Sequence, residues 1–286
     1  MKTILIVIAG MADLPDPLSL KETPLVMAHI PALDTLAQRG EMSSFPPIGE
    51  EYEYSHKNAL LSLLGYDLEH GEPSTEELME FGLDHSAGLT DFPSLRPFII
   101  PGFSGHGVSV TTSAWVRGLS KCALLKPVDI YSPGSSDAEI LEAMAKSAIS
   151  ELQTNEFVFI YIDTPLKASL RGNYDTKTRA LETIDRHLIA PIGDYVWKSD
   201  LFINMAVTTD LVTPWHRRRP AQVSVPLILY YNNHDWEGDP EQRFTEVEAM
   251  LTERNFHNSS DLIRYLTGFS ASENDQAEMD NPFRPY

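Results

Sequence analysis

Apolar residues along the chain fall into short continuous runs, separated by stretches in which they recur at every third or fourth position. The runs Ile4 to Ile8, Phe157 to Ile162, Leu201 to Val207 and Val225 to Tyr231 are rich in branched and aromatic side chains and end at turn residues. Such runs predict strands buried on both faces. Between them "PALDTLAQRG" predicts a helix stopping at Gly40, and "DAEILEAMAKSAISEL" carries helical spacing from Ile140 to Leu152. "TKTRALETIDRHLIAPI" repeats that spacing with Ala180, Leu181, Ile184 and Leu188 on one face. Strands alternating with helices predict an α/β fold, with a mainly parallel sheet covered on both faces.

Two segments break this pattern. Residues 69–105 mix one short acidic helix with Pro and Gly punctuation and read as an insertion; residues 270–286 are polar and acidic and read as a mobile tail. The whole chain, 1–286, is read as a single domain.

Charge narrows the function classes. Lys and Arg number 22 against 41 Asp and Glu, a formal charge of −19, so the overall field repels polyanions and argues against nucleic acid or anionic membrane as partner. No apolar run approaches the roughly 20 residues of a membrane span, and the amino terminus lacks the pattern of a secretory leader. A cytoplasmic protein is the expectation. The single cysteine, Cys122, cannot form an internal disulfide and reads as a small buried hydrophobe.

Ligand sites in open α/β sheets lie beyond the carboxyl ends of the strands. The loops to inspect are therefore "AGMADLP", "DTPLKASLRGN", "TTDLVTPWHRRRP" and "NNHDWEG", together with "EEYEYSHKN". In order and spacing, "IAGMADLP", "TPLVMAHIPALDTLAQRG", "SLLGYD", "AWVRGLSK", "DTPLKASLRGN" with "ALETID", and "DLVTP" with "SVPLILYY" resemble the archaeal type of cofactor-independent phosphoglycerate mutase, in the alkaline phosphatase superfamily. The resemblance runs from Met1 to about Gly268. It implies a three-layer α/β/α sandwich of alkaline phosphatase type, with 69–105 as the remnant of a larger cap. It also implies a centre of two divalent metals, with a serine attacking the phosphoryl group.

The positions that the resemblance assigns to metal ligands hold Ala9, Leu166, Leu170, Leu211 and Pro220, none with a donor side chain, and only Asp210 is retained. The serine's place falls on His56 without a gap, or on Ser55 with one inserted residue. Ser55 and His56 are thus the catalytic candidates, although adjacent side chains on an extended segment point to opposite faces. Lys57, Lys167, Arg171, Arg217, Arg218 and Arg219 adjoin the altered loops and form a candidate anion site, in which fixed positive charge takes over from metals. Three readings follow. The first is a degenerate mutase-like protein without the two-metal centre and without a cofactor, acting by binding or assembly, with a protein partner or a second copy on its uncovered mouth. The second is a metal-dependent phosphatase or mutase using Ser55 with manganese or zinc. The third is a metal-free protein that binds a small phosphorylated anion.

Overall fold

Side chains alternate along the first strand, β1 (Lys2–Ile8): Ile4, Ile6 and Ile8 enter one apolar cluster, and Leu5 and Val7 enter a second on the opposite face. A strand buried on both sides belongs at the centre of a sheet. β1 is flanked there by two parallel neighbours, β5 (Phe157–Ile162) and β6 (Ile203–Thr208). The computed structural model describes residues 2–19, 21–103, 106–130, 134–234, 238–252 and 256–268. The segment 270–286 lies outside them.

The sheet has seven strands in the order β2-β7-β6-β1-β5-β3-β4, where β2 is Glu41–Phe45, β3 Gly107–Val110, β4 Lys126–Val128 and β7 Val225–Tyr231. It is mainly parallel; β7 runs antiparallel to both β6 and β2. All four expected strands are present, the third beginning at Ile203 rather than Leu201. Strands β2, β3 and β4 correct the expectation: β2 is half polar, and β3 and β4 are too short to show a period.

The expected helices cover one face. Pro31–Arg39 ends at Gly40, and Asp137–Glu151 starts at Ser136 with a reciprocal capping box to Glu139. Tyr174–Ile184 continues through one π-turn, Asp185–Ile189, into Ala190–Lys198. Leu181, Ile184 and Leu188 are buried as expected. Opposite lie His56–Leu63, Thr75–Leu83, Ala114–Cys122 and Ser259–Thr267. Within 69–105, Leu78, Phe81, Leu95 and Ile100 are buried in this second cluster, so the segment is fixed to the sandwich by its own apolar side chains.

Cys122 belongs to the same cluster, 4% exposed, and burial pushes its thiol up to about 12. Only the thiolate is nucleophilic. Native protein at pH 8 will therefore leave a disulfide reagent such as Ellman's uncleaved over hours and react rapidly once unfolded in guanidinium. Rapid reaction of the native thiol would show that the face formed by Ala114–Cys122 opens.

Candidate functional site

Parallel pairing of β6, β1 and β5 brings three chain ends together: Ala9 and Gly10 after β1, Asp163 after β5, and Thr209 and Asp210 after β6. Ala9 is fully buried and closes the β1–β5 ladder by donating its N–H to Ile162 O at 2.8 Å. Gly10 then turns at a φ of +68°, against the backbone of Leu166 in the helix Thr164–Leu170. Leu166 is half-buried on the second apolar cluster, Leu211 is fully buried, and Leu170 is exposed.

Ser55 has the extended backbone expected of it, but the segment ends there and His56 is helical, which corrects the sequence reading. Ser55 is the N-cap of His56–Leu63, its Oγ accepting from Asn58 N–H at 3.2 Å, and His56 is the first helical residue. The imidazole meets the loop after β6. His56 Nδ1 lies 2.8 Å from Asp210 Oδ2. A carboxylate only accepts, so Nδ1 carries the proton. Nε2 lies 3.2 Å from Thr213 Oγ1. Burial alone would lower the His56 pKa, but the Asp210 charge and its hydrogen bond outweigh burial and raise it. Asp210 Oδ1 accepts Leu211 N–H at 2.8 Å, and Tyr161 OH stands 3.5 Å from Oδ2. Burial and the adjacent Asp210 keep the Tyr161 phenol neutral.

A second buried network ties the loops from behind. Lys177 and Asp13 are both fully buried at the side chain and meet at 2.7 Å. Lys177 Nζ also donates to the carbonyls of Ala12 and Thr213, each at 3.1 Å. Asp13 Oδ2 accepts Trp215 N–H at 3.1 Å, and Asp13 N–H donates to Glu246 Oε1 at 2.9 Å. Burial lowers the Lys177 pKa against the pull of Asp13, and burial raises that of Glu246. Sequence reasoning missed Asp13, Lys177 and Tyr161. A lysine in the apolar stripe of "TKTRALETID" is the one signal that pointed to this network.

The six candidate cations do not converge. Lys57 turns to Glu72 at 3.2 Å and to Pro73 O at 2.8 Å; Lys167 pairs with Asp163 at 2.8 Å. Arg171 is exposed beside Gly172, where the Arg218 side chain rests. Arg217 and Arg219 line a cleft of about 390 Å³ with Tyr54 and Leu14. Among the described residues no group of three or more His, Cys, Asp or Glu is arranged to hold a metal ion.

No protein-family model matches the chain. By sequence it is 23% identical over 199 residues to the 2,3-bisphosphoglycerate-independent phosphoglycerate mutase of Methanosarcina mazei, covering 70% of this chain and 48% of that one. Its homologues are archaeal cofactor-independent phosphoglycerate mutases, at low identity. The chain spans half or less of the length of the first such relatives it matches. By structure it resembles the PH0037 protein from Pyrococcus horikoshii, with a TM-score of 0.76, 23% identity and coverage of 95% and 98% of the two chains. It also resembles the cofactor-independent phosphoglycerate mutase from Thermoplasma acidophilum, with a TM-score of 0.62, 16% identity and coverage of 94% and 100%. The mutase-like sandwich is thus of the alkaline phosphatase type, as expected from the sequence. No helix among the described residues is long and apolar enough to cross a membrane.

Proposed function

We propose that this chain is a metal-free derivative of the mutase fold that binds a small phosphorylated anion and does not transfer its phosphoryl group. The observation that carries this reading is the pairing of His56 with Asp210 at 2.8 Å. Asp210 is the one retained ligand position, and its two oxygens are already engaged by His56 and by Leu211 N–H. Two divalent cations about 4 Å apart repel strongly and need several converging anionic or imidazole donors. Ala9, Leu166, Leu170, Leu211 and Pro220 offer none. The donor set does not fit the two-metal centre.

What these residues do instead is hold a fixed dipole. The proton on Nδ1 stays on the Asp210 side, Thr213 sets the ring from the other side, and Asp210 has no exposed side-chain surface. With 69–105 standing in place of a cap and packed onto the sandwich, the mouth beside Tyr54 is open to a small ligand.

Elemental analysis and thermal shift test the reading. Purified protein will carry no stoichiometric manganese or zinc, and neither metal nor EDTA will move the melting temperature. Phosphate will raise that temperature equally with and without EDTA. Manganese- or zinc-dependent phosphatase or mutase turnover that disappears in Ser55→Ala would replace this reading with the enzymatic one.

A further inference from the structure

The three consecutive arginines of "WHRRRP" have no use in the His56–Asp210 pair, yet the fold separates them deliberately. The loop between Val212 and Ala221 is closed at its base by a β-bridge, Ala221 N–H donating to Val212 O at 2.9 Å. Inside it the N–H groups of Arg217 and Arg218 both reach Pro214 O, at 3.1 and 2.9 Å. Arg218 has a φ of +55°, a left-handed conformation that is strained for a residue with a side chain. That turn sends its guanidinium to Gly172, where a Cβ would lie 2.4 Å from Nε. Arg217 and Arg219 are left facing the 390 Å³ cleft.

We infer that Arg217 and Arg219, with Tyr54, Leu14 and Val223, form a binding site for a phosphate monoester whose body is flat and apolar, such as an aryl phosphate or a nucleoside monophosphate. The inference rests on the metal-free binding role proposed above and names the ligand class. Neither arginine has an ion-pair partner among the described residues, although acidic side chains outnumber basic ones by 41 to 22 over the chain. Two unneutralised guanidinium forks on a loop locked by backbone bonds match the oxygens of a phosphate without metal help. Of the remaining wall, the Tyr54 ring, Leu14, Pro220 and Val223 offer an apolar surface to a ring, Gln222 adds one amide, and no carboxylate lines the cleft. The volume lies in the range of small-molecule sites, and the −19 field selects against longer polyanions.

Isothermal titration of the full chain with inorganic phosphate, phenyl phosphate, adenosine monophosphate and phenol tests this. Phenyl phosphate will bind at least tenfold more tightly than inorganic phosphate, and phenol will not bind in the same range. The double variant Arg217→Gln, Arg219→Gln will lose at least tenfold in phenyl phosphate affinity. Tyr54→Ala will bring phenyl phosphate and inorganic phosphate close to equal affinity, and Arg179→Gln, exposed and outside the cleft lining, will change neither. Adenosine monophosphate binding as tightly as phenyl phosphate assigns the ring wall to nucleosides; weaker binding assigns it to aryl groups. Absence of phenyl phosphate binding, or binding unchanged in the double variant, overturns the inference. Either result leaves the metal-free reading to its own metal and turnover measurements.

Discussion

Replacing Lys177 by methionine will lower the stability of the fold by about 3–5 kcal/mol, because removing one partner strands a buried charge. Lys177 and Asp13 have no exposed side-chain surface, and the three protons of the ammonium go to Asp13, Ala12 O and Thr213 O. The methionine keeps the volume and removes all three bonds. Asp13 would then keep only N–H donors, from Leu14 and Trp215, to offset a full charge out of water. The consequence spreads, since Lys177 joins Asp13 in tying the loop after β1 to the turn of Thr213 and Trp215. Urea denaturation at pH 7 gives the loss directly. The double variant Lys177→Met, Asp13→Asn will recover part of it, because no unpaired charge remains. A single-variant loss below about 1 kcal/mol would mean that water reaches the pair, as it does in exposed ion pairs.

That network also marks where sequence reading stops. Strands β1, β5, β6 and β7 were legible because each is a continuous apolar run, a pattern forced by burial on both faces. β2, "EMSSF", was not, because Ser43 and Ser44 are buried by the sheet and helices around them rather than by their own chemistry. β4, "KPV", sits at the sheet edge, where a proline does no harm and three residues leave no period to read. The helix His56–Leu63 carried a readable signal in Ser55 as N-cap, yet His56 was placed on an extended segment. Chemistry was harder still. His56 meets Asp210 across 154 positions, and Lys177 meets Asp13 across 164, so neither pair leaves a local spacing to detect. The candidate cations show the converse: six charges near altered loops in sequence divide in space into two paired lysines, the exposed Arg171, Arg218 seated on Gly172, and two arginines facing a cleft.

Gly10→Ala will destabilise the protein by about 3 kcal/mol, from backbone strain and backbone contact together. At its φ of +68° an alanine is in the left-handed region, and its Cβ would lie 2.7 Å from Leu166 Cα and 2.9 Å from Leu166 N. Both are main-chain atoms of the helix Thr164–Leu170, so no rotamer change relieves the overlap, and the loop after β1 must move from the helix after β5. Gly71 separates the two causes. It has a φ of +89° with nothing within 4 Å of an added Cβ, so Gly71→Ala carries backbone strain without any contact. The excess of Gly10→Ala over Gly71→Ala in matched urea melts is then the cost of parting the two loops. Because Asp13 lies three residues beyond Gly10 and holds Trp215 N–H, that movement reaches the arginine loop. Gly10→Ala will accordingly weaken phosphate binding as well as stability, whereas Gly71→Ala will leave binding intact. Equal losses for the two variants would show that β1's loop and the Leu166 helix are not in contact, and that the loop of Arg217 and Arg219 is positioned by something other than the strand ends beneath it.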